Sequence, residues 1–267
     1  MKKFLLISAV VGLISVGLFF MWIPSAEQIK GCFKTSMYGI DFCPKSKSYV
    51  PLNSIAKSLQ NAILLSEDSG FYQHSGFDQE GINNCIEKIK LKHRLVCGGS
   101  TITQQLAKNL FLSKDKSFFR KGAEALITIK IEKNLTKKEI LERYLNVVQF
   151  GKNIFGVRQA SQFYFKKVPA QLSVNESAFL AMVLPSPEKY SQSYFRKDLT
   201  RFARKRLSRI VNDLYKYKRI SENEYLAAND SLDFFLKSGL AMPQPKEQEE
   251  ALSADDINEI KEELEEE

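Results

Sequence analysis

Residues 66–78 read Ser66-Glu67-Asp68-Ser69-Gly70-Phe71-Tyr72-Gln73-His74-Ser75-Gly76-Phe77-Asp78. Two adjacent carboxylates, a histidine and several aromatic residues crowd into this stretch. A carboxyl group kept beside apolar surface has its pKa raised toward neutrality, as a general base working near pH 7 requires. Glu67 is the first candidate for that base. An isolated Glu-Asp pair is more often a solvated turn, so the meaning of this one depends on its context.

The next informative stretch is Cys97-Gly98-Gly99-Ser100-Thr101-Ile102-Thr103-Gln104-Gln105-Leu106-Ala107-Lys108-Asn109-Leu110-Phe111-Leu112. At helical spacing Thr101, Gln105, Lys108 and Asn109 share one face, and Ile102, Leu106 and Leu110 share the other. Gly98 and Gly99 allow close backbone approach, Ser100 or Thr101 can cap, and a helix N-terminus favours an anion. With Lys108 on the same surface, the pattern predicts a phosphate or pyrophosphate cradle. It is not a Walker loop, which needs Gly-Lys-Ser/Thr. A third block, Arg120-Lys121-Gly122-Ala123-Glu124-Ala125, opens a long helical stretch with Arg120 and Glu124 at i,i+4. As a surface ion pair alone, it would contribute little.

Together the blocks resemble the glycosyltransferase domain of peptidoglycan polymerases, shared by class A penicillin-binding proteins and monofunctional biosynthetic peptidoglycan transglycosylases. The family's Glu-Asp-x-x-Phe-x-x-His-x-Gly stands at Glu67, Asp68, Phe71, His74 and Gly76. Its Gly-x-Ser-Thr-x-x-Gln-Gln-x-x-Lys-Asn stands at Gly98, Ser100, Thr101, Gln104, Gln105, Lys108 and Asn109, and its Arg-Lys-x-x-Glu at Arg120, Lys121 and Glu124. Ile140-Leu141-Glu142-Arg143-Tyr144-Leu145-Asn146 and Phe150-Gly151 are similar to a later motif. After Leu184-Pro185-Ser186-Pro187 only one more helical region and an acidic tail follow, and no Ser-x-x-Lys, Ser-x-Asn and Lys-Thr-Gly set is found. The monofunctional branch is therefore the nearer resemblance.

The resemblance implies polymerisation of lipid II onto a nascent glycan chain. The donor is linked α to undecaprenyl pyrophosphate and the product is β-1,4, so the displacement inverts. It implies Glu67 as the base on the acceptor hydroxyl, with Asp68 supporting it. Glu124 is expected near the donor pyrophosphate, holding a divalent cation (Mg or Mn) or orienting Arg120 and Lys108. Ser100, Thr101, Gln104, Gln105, Asn109 and Lys116 are expected to bind phosphates and sugar, and Phe71 and His74 to shape the cleft. The family's fold is mainly α and lysozyme-like, a large lobe with a small jaw lobe. Three positions depart from the family's usual pattern: Lys116 for arginine, Lys166 for the glycine of Tyr-Phe-Gly-Lys, and Ala123 where some relatives are basic. Moenomycin-type phosphoglycolipids are expected at the donor site.

The termini bound the rest. Residues 4–23 are uncharged and mostly apolar behind Lys2 and Lys3, long enough for one transmembrane helix. Positive-inside orientation then places residues 1–3 in the cytoplasm and the remainder outside the inner membrane. A cleaved signal peptide is the rival, but no clean Ala-x-Ala site follows. A juxtamembrane segment at 24–49, a glycosyltransferase domain at 50–242 and an acidic tail at 243–267 complete the expected layout. From Lys246 to Glu267 there are eleven acids against two lysines, which leaves 37 basic and 20 acidic residues in 1–242. A basic body suits a membrane surface and a pyrophosphate substrate, and outside the cytoplasm no nucleic acid is expected as partner. Membrane lipid and cell-wall synthesis proteins, such as transpeptidases and divisome or elongation components, are the expected associates.

Cysteines fall as two close pairs, Cys32 with Cys43 and Cys85 with Cys97. An oxidising compartment permits disulfides in any of three connectivities, and local pairing is the expectation. Capping boxes at Thr136/Glu139, Ser173/Glu176 and Ser221/Glu224 predict helix starts. Residues 196–219 read as a basic amphipathic helix, and no alternation predicts a sheet. Two rival functions remain. One is a lysozyme-like, glycan-cleaving enzyme, which needs no Lys-lined pyrophosphate helix. The other is a catalytically silent membrane scaffold, which needs no motifs in register.

Overall fold

Helix starts are set by short local signals. Ser25, Thr101, Thr136, Ser173 and Ser221 each accept a hydrogen bond from the backbone N–H three residues on, and a Gln or Glu there reaches back to the cap's own N–H. Each such box satisfies donors that a helix N-terminus leaves without partners, which is why the sequence pattern located the starts at Thr136, Ser173 and Ser221. The computed structural model describes residues 23–92, 99–114 and 118–237 and is mainly helical. In chain order the main helices are α1 (Ala26–Lys30), α2 (Lys57–Glu67), α3 (Gln79–Lys92), α4 (Ile102–Phe111), α5 (Phe118–Asn134), α6 (Lys137–Val147), α7 (Gly156–Phe165), α8 (Val174–Val183), α9 (Pro187–Tyr190), α10 (Gln192–Arg196), α11 (Arg201–Lys216) and α12 (Glu222–Ser231).

The chain divides into two compact units. The first joins the described residues up to Leu52 with Glu67–Val148. Within it α4 packs against α5 and α6, and α1 lies on α5. Ile102, Leu106, Leu110, Ile127, Ile131, Ile140, Leu141 and Leu145 form the core, each no more than 1% exposed. The stretch 24–49 is part of this unit. Strands β1 (Phe33–Lys34) and β2 (Asp41–Phe42) pair antiparallel, and the Cys32–Cys43 disulfide closes the hairpin beside Phe33 and Phe42. The buried Arg143 of α6 donates to the Ile29 carbonyl of α1 at 2.9 Å. Val50 and Asn146 exchange two hydrogen bonds, at 2.8 and 2.9 Å.

The second unit comprises Asn53–Ser66 and the chain from Gln149 onward. Its centre is α8, buried on every side and packed against α11 and α12. Helix α11 turns Leu207, Ile210, Val211 and Leu214 inward, whereas Arg201, Arg204, Lys205 and Arg209 line an open groove. Two short strands, β3 (Gln149–Gly151) and β4 (Ile154–Phe155), form a hairpin against α7. Neither hairpin has the length that makes alternation visible in a sequence, which accounts for the missing sheet signal.

Several expectations fall outside the described residues: the span at 4–22, Cys97, Gly98, Lys116 and the tail at 243–267. Among the described residues, no helix is long and apolar enough to cross a membrane. Cys85 is disulfide-bonded, and Cys97 lies outside the description.

Candidate active site

Every described site residue lies in the first unit. Helix α2 ends at Glu67, and the chain then makes tight turns, with Phe71 N–H donating to Asp68 O and Gln73 N–H to Gly70 O. Phe71 is fully buried and its ring carries the Lys137 ammonium 4.5 Å from its centroid. His74 Nδ1 accepts from the Gly76 N–H at 3.2 Å, which puts the ring proton on Nε2, the atom 2.8 Å from Asp68 Oδ1. The histidine thus ties the turn together. Gly76 has φ +92°, and a Cβ there would sit 2.7 Å from Thr128 Cγ2 of α5. Only glycine fits both demands.

Helix α4 begins against this turn. Thr101, 3% exposed, caps it and donates its hydroxyl to the Gly76 carbonyl at 2.7 Å. Gln104 Oε1 accepts from the Thr101 N–H at 3.0 Å. The first helical N–H, that of Ile102, donates to Asp68 Oδ2 at 2.9 Å. The first N–H of this helix is thus taken by the protein's own carboxylate. Asp68 braces the turn to α4, and Thr101 and Gln104 engage each other within the fold. Asn109 is buried, Ser100 is exposed, and a Cβ at Gly99 would meet nothing within 4 Å.

Farther along α4, Gln105 and Lys108 are half-buried among buried neighbours. Gln105 Nε2 donates to Glu67 Oε2 at 2.9 Å, so the candidate base is held by the helix. One turn on, Lys108 is partly buried. Burial holds its ammonium pKa below the ordinary lysine value, against opposing attractions from Glu124 and, less strongly, Glu67. Lys108 therefore feels both glutamates. Glu124 of α5 is 2% exposed; Lys121 Nζ donates to its Oε1 at 2.5 Å and Arg120 Nη1 lies 3.8 Å from its Oε2. Lys121 was quoted in the third motif without a role, and its i,i+3 spacing to Glu124 was the signal that it belongs to this cluster. Ala123, by contrast, is 4% exposed and faces the core, so a basic side chain has no room there without repacking.

A divalent cation at Glu124 fits this arrangement poorly. Among the described residues no three His, Cys, Asp or Glu side chains gather as a ligand set. The Glu124 carboxylate is already bracketed by two cations. Chemically the site offers a fixed carboxylate at Glu67 and, beyond Lys108, a positively charged surface backed by a buried counter-charge.

Comparison with known proteins agrees with this geometry. The family described as Transglycosylase matches residues 36–215. A biosynthetic peptidoglycan transglycosylase of Aromatoleum aromaticum is 48% identical over 163 residues, 61% of this chain and 70% of the relative. Proteins of the same name from Azoarcus sp. and Thiobacillus denitrificans are 48% identical over 147 residues and 49% over 142. Those matches cover 55% and 53% of this chain, and 64% and 61% of the relatives' own lengths. The chain belongs to the transglycosylase family and carries the domain of a peptidoglycan glycosyltransferase.

Proposed function

We propose that this protein is a membrane-anchored polymerase that extends glycan strands from lipid II by a single inverting displacement. The observation that carries the reading is the arrangement on α4. Gln105 holds Glu67, and one turn away Lys108 lies within the fields of both Glu67 and Glu124. Glu67 takes the proton from the acceptor hydroxyl as that oxygen attacks the donor's anomeric carbon. The bond to the pyrophosphate oxygen breaks on the opposite face, and its electron pair leaves with undecaprenyl pyrophosphate. Lys108, Arg120 and Lys121 stabilise the charge that grows on the leaving group. Inverting transfer needs the base and the leaving-group site on opposite sides of the reacting carbon, and in this reading Glu67 takes one side and Lys108, Arg120 and Lys121 the other.

A lysozyme-like pairing of a large lobe with a jaw lobe, a glycosyltransferase domain spanning 50–242, a helix at 4–23 crossing the inner membrane and an extracytoplasmic catalytic domain belong to the same reading. Leu91 and Phe119, 80% and 82% exposed in the first unit, suit contact with a lipid-linked substrate at a membrane surface. Cell-wall synthesis proteins are its natural associates.

The test incubates detergent-solubilised protein with labelled lipid II and separates products by length, with Glu67→Gln alongside. Long glycan from wild type and none from Glu67→Gln is the expected result. Shortening of preformed glycan would favour a hydrolase, and no polymer from folded wild type, with or without divalent metal, would favour a scaffold.

A further inference from the structure

Helix α6 contributes to the site a side chain, Tyr144, to which the motif comparison gives no role and which the charge pattern does not single out. The Tyr144 hydroxyl lies 2.9 Å from Gln105 Oε1, and Gln105 Nε2 lies 2.9 Å from Glu67 Oε2. The three residues come from three helices, with successive partners 39 and 38 positions apart in sequence. We propose that Tyr144 is a positioning residue: its hydroxyl fixes which way the Gln105 amide faces, and thereby keeps an N–H donor on the Glu67 carboxylate. The inference rests on Glu67 being the base.

The chemistry of each group allows one assignment. An ionised carboxylate only accepts hydrogen bonds, so the end of the amide facing Glu67 must be the NH2. The carbonyl end then faces Tyr144 and needs a donor, and the phenol supplies it. Tyr144 is 0% exposed. Burial, and behind it the charges of Glu67 and Asp68, push its hydroxyl well above the ordinary tyrosine range, so it stays protonated and remains a donor. The ring itself is wedged in the core, so the donor cannot swing away. A hydrogen bond donated to the charged form of an acid favours that form, so the relay holds Glu67 ready as a base and fixes the plane of its carboxylate.

The full-length protein with lipid II tests the relay through rate against pH. Tyr144→Phe keeps the packing and removes the donor. A fall in kcat of ~10-fold, with KM unchanged within ~2-fold, is expected. The acid limb of the profile should also move to higher pH by about half a unit or more, since the charged base loses support. In a Gln105→Ala background, Tyr144→Phe should add nothing, because it acts through that amide. An unmoved acid limb, or effects that multiply in the double variant, would overturn the proposal. If Tyr144→Phe does not fold, replacing Tyr144 by 3-fluorotyrosine keeps the ring and strengthens the donor; the limb should then move to lower pH, and no movement would overturn the relay. Polymerisation surviving Glu67→Gln would remove the base itself, and the relay with it, which separates that failure from the others.

Discussion

The Asp68 carboxylate accepts the Ile102 backbone N–H at 2.9 Å, joining the start of the turn after Glu67 to the first residue of α4. Its other oxygen meets His74, so one side chain ties the turn that follows Glu67 to the start of the helix that carries Gln105 and Lys108. Removing it should damage folding first and chemistry as a consequence. Asp68→Ala leaves a buried N–H without an acceptor, at a cost of about 1–3 kcal/mol, and takes a favourable charge from a helix N-terminus. Urea unfolding should show that loss, and Asp68→Asn should recover part of it.

Gly76→Ala combines a left-handed backbone with a Cβ pressed on Thr128. The backbone alone costs about 1–2 kcal/mol and the clash adds to it. Thr128→Ser removes the offending methyl and keeps the hydroxyl that donates to the Glu124 carbonyl at 2.7 Å. The double variant should therefore melt above Gly76→Ala but below wild type.

Lys166 sits at φ +57° at the end of α7, where relatives were expected to carry glycine. A side chain in that conformation is strained, although glycine loses more entropy on folding. The balance favours Lys166→Gly by about 0.5–1 kcal/mol, a rise of roughly 2 °C in melting temperature. No change in polymerisation rate should accompany it.

Lys108 presents the opposite trade. Burial lowers its folded pKa, so the charged lysine opposes folding at neutral pH, and stability is gained as pH rises from the folded value toward the unfolded one. Lys108→Met should raise the melting temperature at pH 7 and abolish polymerisation, since the leaving-group charge loses its partner. The same lowered pKa predicts an alkaline limb of activity below the ordinary lysine range, which Lys108→Arg should move upward if any activity is retained.

The sequence was most legible where the controlling interactions are local. Capping boxes, the inward face of α11 and the Cys32–Cys43 pair depend on residues close in the chain, and each was readable. The Thr101-x-x-Gln104 pattern was readable too, since it is itself a capping box. The Glu67–Gln105–Tyr144 line was not legible, because its geometry comes from packing helices far apart in sequence. Asn109 illustrates the same limit. Helical spacing put it on a polar face, yet packing of α4 between α5 and α6 buries it.

The grip of Arg143 on the Ile29 carbonyl carries a mechanical consequence. Between Ile23 and the start of α1 only two residues intervene, and α1 is clamped to the helices that frame the site. The stretch ahead of the site helices is therefore built into the first unit rather than hung from it. Parting α1 from the helices that frame the site would first have to break a buried, charge-assisted hydrogen bond, so this edge of the unit moves with the site and not independently of it.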